Sequence, residues 1–137
     1  MATTVRRVEY FYVMAPDRPG EAARLLRHLA KAKVNLLAFS GFPAGRGAQI
    51  DFVPENPPAF RRVARAARWK LEGPKRAFLI SGDDRAGALG ALLAKLAEAR
   101  INVTAVDAAA AGKGRWGAIL WVKPKDARAA GRVLGAK

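Results

Sequence analysis

Asp17-Arg18-Pro19-Gly20, with the apolar-periodic run that follows it through Asn35, decides the reading of this chain because it occurs twice. Sixty-seven residues later it returns as Asp84-Arg85-Ala86-Gly87. Leu25 then answers to Leu92, Leu26 to Leu93, Leu29 to Leu96, Ala30 to Ala97, Val34 to Ile101 and Asn35 to Asn102. Nine pairs share one ungapped offset, so the chain is two copies of one unit. A period of about seventy residues is longer than that of the usual solenoid repeats, and each copy reads as a small domain.

Working outward from the motif, Val5 to Met14 is predicted as a central strand, apolar on both faces. Pro19 has a fixed φ and no amide hydrogen, which suits the first turn of a helix. Ala22, Leu25, Leu26, Leu29 and Ala30 then follow helical spacing, with Arg24, Arg27, His28 and Lys31 on the other side. Val34 to Phe42 and Ala48 to Val53 are predicted as strands joined by a loop over Gly41 to Gly47. Pro57-Pro58 opens a second helix with Phe60, Val63, Ala64 and Ala67 inward, and Trp69 to Leu71 is short enough for an edge strand. The second copy repeats the order: strands at Lys75 to Ser81, Ile101 to Ala110 and Arg115 to Lys123, helices at Gly87 to Arg100 and Pro124 to Gly135. It has no counterpart of the fourth strand.

Each copy, residues 1–73 and 74–137, is therefore a strand–helix–strand–strand–helix–strand unit, the α+β ferredoxin-like arrangement βαββαβ. The second unit lacks its last strand, which predicts an open sheet edge and a partner chain to cover it. Gly20 and Gly87 stand in the first turn of a helix, where glycine is costly. Close packing of the helix start on the sheet explains them, and so does unobstructed approach of an anion to the helix amides.

Composition narrows the function. The 137 residues include no cysteine, which removes disulfides and thiolate metal sites, and a reducing compartment is compatible with that. There is no signal-peptide h-region and no apolar run of ~18 residues, so a membrane span is not expected and a cytoplasmic location is. The net charge of +14 is shared evenly, with 13 Lys/Arg against 6 Asp/Glu in residues 1–74 and 12 against 5 in residues 75–137. It attracts polyanions in general and also keeps a protein soluble.

Catalysis has little to work with: His28 lies on a charged helix side and neither Ser40 nor Ser81 stands in a nucleophile elbow. No metal cluster or cofactor motif is present. Nucleic acid is the alternative partner, since ferredoxin-like sheets stack bases on strand aromatics and this chain has Tyr10, Phe11, Tyr12, Trp116 and Trp121. The aromatic-rich pattern of RNA-binding third strands is absent from both copies.

A strand running into Asp17-Arg18-Pro19-Gly20, a helix with Leu25-Leu26 and Leu29-Ala30, and then Val34-Asn35-Leu36 resembles the ACT domain, and the second copy resembles another. The resemblance covers nearly the whole chain and implies a tandem ACT protein without a catalytic domain. It implies units paired side by side into one continuous antiparallel sheet with helices on one face. It further implies a regulatory, non-enzymatic module that binds a small molecule, typically an amino acid, and associates as a homodimer or with a regulated partner protein. The ligand-binding residues it implies are Asp17, Arg18, Gly20, Asn35, Asp84, Arg85, Gly87 and Asn102. Amides near either glycine, with Arg18 or Arg85, suit a ligand carboxylate, and Asp17 or Asp84 an ammonium. Asp17 and Asp84 also suit helix capping, and Asn35 and Asn102 the turn after a helix. Ala15 and Gly82 depart from a polar-lined site.

Overall fold

Alternation along the first strand determines which side of the sheet is covered. In β1, Thr4–Pro16, the side chains of Phe11, Val13 and Ala15 are buried, whereas Tyr10 and Tyr12 on the opposite face are half-buried and Met14 is exposed. The computed structural model describes residues 3–137. After β1 come α1 (Glu21–Lys31), β2 (Leu36–Ala44), β3 (Gly47–Pro54), α2 (Pro57–Ala66), β4 (Glu72–Asp83) and α3 (Ala88–Glu98). β5 (Ala105–Gly112), β6 (Arg115–Trp121), a short 3-10 turn at Pro124–Asp126 and α4 (Ala127–Leu134) complete the order. The described residues thus form an α+β fold with a six-stranded antiparallel sheet and four helices.

The chain divides into two compact units, one of Glu9–Lys75 and one of Arg76–Lys137 together with the described residues up to Val8. In the first, β3 pairs antiparallel with both β1 and β2, placing Phe11 opposite Phe52 and Val13 opposite Ile50. Those side chains meet Leu25 and Leu29 of α1 and Phe60 of α2. The Phe60 ring lies 5.3 Å from that of Phe11 and 5.2 Å from that of Phe52, a range in which aromatic pairs add to area burial. In the second unit β6 pairs with β4 and β5, setting Phe78 opposite Leu120 and Ile80 opposite Ala118. Leu92 and Leu96 of α3 and Leu134 of α4 close that core.

The repeat offset of the motif runs through the structure. α1 and α3 have equal length and bounds 67 residues apart. Their left-handed N-cap glycines, Gly20 at φ 91° and Gly87 at φ 83°, keep the same offset. So do the left-handed residues that end the helices, Lys33 with Arg100 and Arg68 with Gly135.

The strand expected from Ile101 begins only at Ala105, and the structure departs from expectation in three further places. Trp69 to Leu71 is not a strand: Arg68 reverses the chain at φ 63°, and the Trp69 ring turns inward, 5.8 Å from Phe52. The strand that follows begins at Glu72 and runs on as β4. The expected loop over Gly41 to Gly47 is mostly strand, since β2 reaches Ala44 and pairs it with Gly47. Pro43 is tolerated because β2 lies at the end of the strand order and its missing donor breaks no ladder. The flank of β4 that the sequence leaves without a strand is occupied by Thr4–Val8 of β1. Thr4 and Ser81 share a hydroxyl hydrogen bond of 3.1 Å there. Backbone bonds also tie this part of β1 to Lys137: Arg7 N–H donates to the Lys137 carbonyl at 2.9 Å and Lys137 N–H to that of Val5 at 3.0 Å. That flank needs no second chain.

Candidate functional site

Both copies of the Asp-Arg-x-Gly motif lie in the loop between a strand and the helix behind it. Neither aspartate caps its helix: the N-caps are Gly20 and Gly87, and no side chain bonds to either helix start. Nothing comes within 4 Å of a Cβ built on either glycine. Close packing therefore does not explain them. The left-handed backbone does, because an L side chain at such a φ is strained, and the approach to the helix start stays open.

The two loops differ in charge. In the first, Glu21 occupies the opening turn of α1, and Arg18 Nε donates to its carboxylate at 2.9 Å while Arg24 Nη2 donates at 3.0 Å. The Arg18 hydrogen bond, then that of Arg24, holds the Glu21 carboxyl below its ordinary range. The positive end of α1 already faces a carboxylate of its own chain. In the second loop Ala88 stands where Glu21 stands in the first, and the first turn of α3 has no acidic residue. Arg85 makes no ion pair among the described residues.

A hollow of about 280 Å³ opens at this second loop. Asp84, Arg85 and Gly87 line it together with Ala108 and Ala110 of β5 and Trp116 of β6. The Asp84 N–H donates to the Gly114 carbonyl at 2.8 Å, tying the loop to the β5–β6 hairpin. Trp116 is buried, and its indole N–H has no acceptor among the described residues. A Cβ at Gly82 would stand 3.0 Å from that nitrogen and 2.8 Å from Thr3 Oγ1, which accounts for the missing side chain at position 82. Trp116 was not singled out for this site from the sequence, although its alternation with Ala118 and Leu120 along β6 marks it as facing the helices.

Asn35 and Asn102 lie past the far ends of α1 and α3, about 16 Å of helix from the loops of their own units. Neither unit brings its asparagine to its own Asp-Arg-x-Gly loop. Nor do the asparagines supply the turn after the helix. Lys33 and Arg100, at φ 58° and 59°, take the left-handed position, and Val34 and Ile101 donate back to Leu29 and Leu96.

The other candidates separate clearly. His28 is exposed on α1, its ring 5.7 Å from that of Trp69. Of the aromatics suited to base stacking, Phe11, Trp116 and Trp121 are buried. Among the described residues no three His, Cys, Asp or Glu side chains are grouped to hold a metal ion, and no helix is long and apolar enough to cross a membrane. One buried carboxylate stands apart, Asp51 on β3, which accepts from Gln49 Nε2 at 2.9 Å. Burial raises its pKa, opposed by the Gln49 hydrogen bond and by the charge of Lys75.

No family profile and no curated protein matches the sequence. Solved structures do match the fold. A protein from Bacteroides thetaiotaomicron superposes with a TM-score of 0.77 at 15% identity, covering 97% of this chain and 88% of that one. The ligand-free regulatory subunit of aspartate kinase from Thermus thermophilus gives 0.65 at 17% identity, over 98% of this chain and 96% of that one. The corresponding subunit from Thermus flavus gives 0.61 at 15% identity, over 98% and 95%. At these identities the likeness is one of fold, and at that level the ACT-domain resemblance read from the sequence holds.

Proposed function

We propose that this chain is a regulatory module whose tandem units bind an amino acid at the loop before α3 and answer binding by changing association, with a second copy or with a controlled enzyme. The observation that carries the reading is the hollow lined by Asp84, Arg85 and Gly87 at a helix start that has no acidic residue of its own. An amino acid presents a carboxylate and an ammonium about one carbon apart. Arg85 and the opening amides of α3 suit the carboxylate, and Asp84 suits the ammonium. Ala108, Ala110 and Trp116 offer apolar surface to the side chain. A volume of about 280 Å³ accommodates a molecule of that size. The fold likeness to a regulatory subunit of aspartate kinase supports the same class of function.

In this reading the first loop, with Asp17, Arg18 and Gly20, is the weaker site, because Glu21 already engages Arg18 and the start of α1. Asn35 and Asn102 stand outside the proposal.

A thermal-shift screen of the twenty amino acids tests it. A ligand at 100 times its Kd adds about 2.7 kcal/mol and raises Tm by several degrees. Arg85→Gln and Asp84→Asn are expected to abolish the shift, and Arg18→Gln to leave it. Absence of any amino-acid shift, or a shift untouched by Arg85→Gln, overturns the reading.

A further inference from the structure

The unit of Arg76–Lys137 and the residues up to Val8 contains a larger hollow, of about 660 Å³, that the amino-acid reading does not use. Arg7, Arg76, Lys125 and Arg128 stand around it, with Phe78 and Pro124 in its wall and no carboxylate in its lining. Arg76, Lys125 and Arg128 make no ion pair among the described residues. Four cations thus stand around one concavity with no carboxylate among the described residues of its lining, an arrangement that focuses a field on any anion that enters.

One of the four is held in place. Arg7 Nη1 donates to the Ala136 carbonyl at 2.6 Å, and its guanidinium lies against Gly131 of α4. A Cβ at Gly131 would stand 2.7 Å from Arg7 Cζ and 2.8 Å from Nε. Glycine in mid-helix lowers helix stability relative to alanine. Gly131 has no positive φ to justify it, and the seat it leaves for Arg7 does. The 3-10 turn and first turn of α4 supply Lys125 and Arg128, and Asp126, the N-cap of α4, stands outside the lining.

We infer that this hollow binds a polyphosphate group, meaning two or more linked phosphates, carried by a nucleotide or by an inorganic chain. Guanidinium forks match phosphate oxygens in pairs, and several adjacent negative charges answer four cations where one orthophosphate cannot. The volume falls in the range of about 300–1,000 Å³ usual for small-molecule sites, so a nucleoside polyphosphate fits it. A single-stranded nucleic acid asks instead for a basic track interleaved with exposed aromatic faces, and Trp116 and Trp121 of this unit are buried.

Calorimetric titration at 0.15 M salt tests the inference, using tripolyphosphate, ATP, AMP, orthophosphate and a short single-stranded RNA. Tripolyphosphate is expected to bind one to one, at least about tenfold tighter than orthophosphate, and ATP to exceed AMP by a similar factor. ATP tighter than tripolyphosphate identifies a nucleotide as the source; the reverse order identifies an inorganic chain. Arg76→Gln with Arg128→Gln should weaken binding about 100-fold, as two charge-assisted contacts are lost. Arg61→Gln with Arg65→Gln removes the same charge from exposed positions of α2 and should change it by less than about twofold. Gly131→Ala displaces Arg7 and should weaken binding about tenfold without lowering Tm, since alanine is the better helix former. Equal losses from the two double variants, RNA binding without tripolyphosphate binding, or no binding at all overturns the inference.

Discussion

Three of the four helices end on a basic residue in a conformation that glycine adopts at less cost. Lys33, Arg68 and Arg100 have φ of 58°, 63° and 59°, and the equivalent residue after α4 is Gly135 at 68°. Each closes the same pair of bonds: in α1, Lys33 N–H donates to the Ala30 carbonyl and Val34 N–H to that of Leu29, both at 3.0 Å. A left-handed L residue costs about 1–2 kcal/mol, of which glycine returns part through its greater freedom in the unfolded chain, about 0.5–1 kcal/mol. The net gain of a glycine is therefore about 0.5–1 kcal/mol per site. Against it stands the attraction of a cation to the negative helix end, about 0.3–1 kcal/mol at an exposed position. Lys33→Gly compared with wild type mixes both effects. Lys33→Gln keeps the strained backbone and removes only the charge, so the comparison of glycine with glutamine isolates the backbone. Guanidinium denaturation of the triple glycine and triple glutamine variants should differ by about 1.5–3 kcal/mol, because the sites lie on separate helices and add. The reciprocal change, Gly135→Gln, should lose about 0.5–1 kcal/mol. Glycine variants no more stable than their glutamine counterparts, with Gly135→Gln neutral, would refute the reasoning.

Two further outcomes follow from the unit of Glu9–Lys75. Asp51 has its pKa raised by burial, so its carboxyl favours folding while protonated, and that contribution is lost as pH rises from the unfolded pKa through the folded one. Asp51→Asn, which can still accept from Gln49, should therefore be the more stable protein at pH 7, by a margin that narrows as pH falls toward 4; a margin constant with pH would sink the assignment. Phe60, wholly buried between Phe11 and Phe52, should cost about 3–5 kcal/mol on replacement by alanine, measured by chemical denaturation, and a loss below about 1 kcal/mol would show that the core closes over the gap.

What was legible in the sequence is what repeats or alternates. The offset between Asp17 and Asp84 locates both helices, because Leu25 with Leu29 and Leu92 with Leu96 are the buried faces and face burial forces periodicity. What escaped depends on long-range pairing. Nothing local in Thr4–Val8 says that it flanks β4, because a strand's partner is chosen by the sheet and not by its own residues. Trp69 to Leu71 has strand-like composition, yet the reversal at Arg68 and the aromatic cluster of Phe52 and Phe60 outweigh that preference. At the site, the motif named Asp84, Arg85 and Gly87 together, and they line one hollow. The asparagines carry the same repeat signal but lie at the other end of each helix, where the ordered neighbour is a left-handed lysine or arginine. A repeat shows that a position matters to the unit, without showing which end of the helix the chemistry occupies.

The two loops also show how a duplicated backbone separates into different chemical states through one position. Gly20 and Gly87 set the same left-handed entry, and neither helix start is capped by a side chain. An uncapped start leaves amide donors and a partial positive charge that favour a nearby anion. At α1 the anion is supplied by Glu21, which also binds Arg18 and Arg24. At α3 the equivalent residue is Ala88, and Arg85 is left without an acidic partner among the described residues. A free carboxylate competing for the first loop must displace a tethered one with two arginine contacts, whereas at the second the first turn of α3 holds no acidic residue. The same fold thus offers one loop that stabilises its own helix and one whose helix start has no acidic residue of its own.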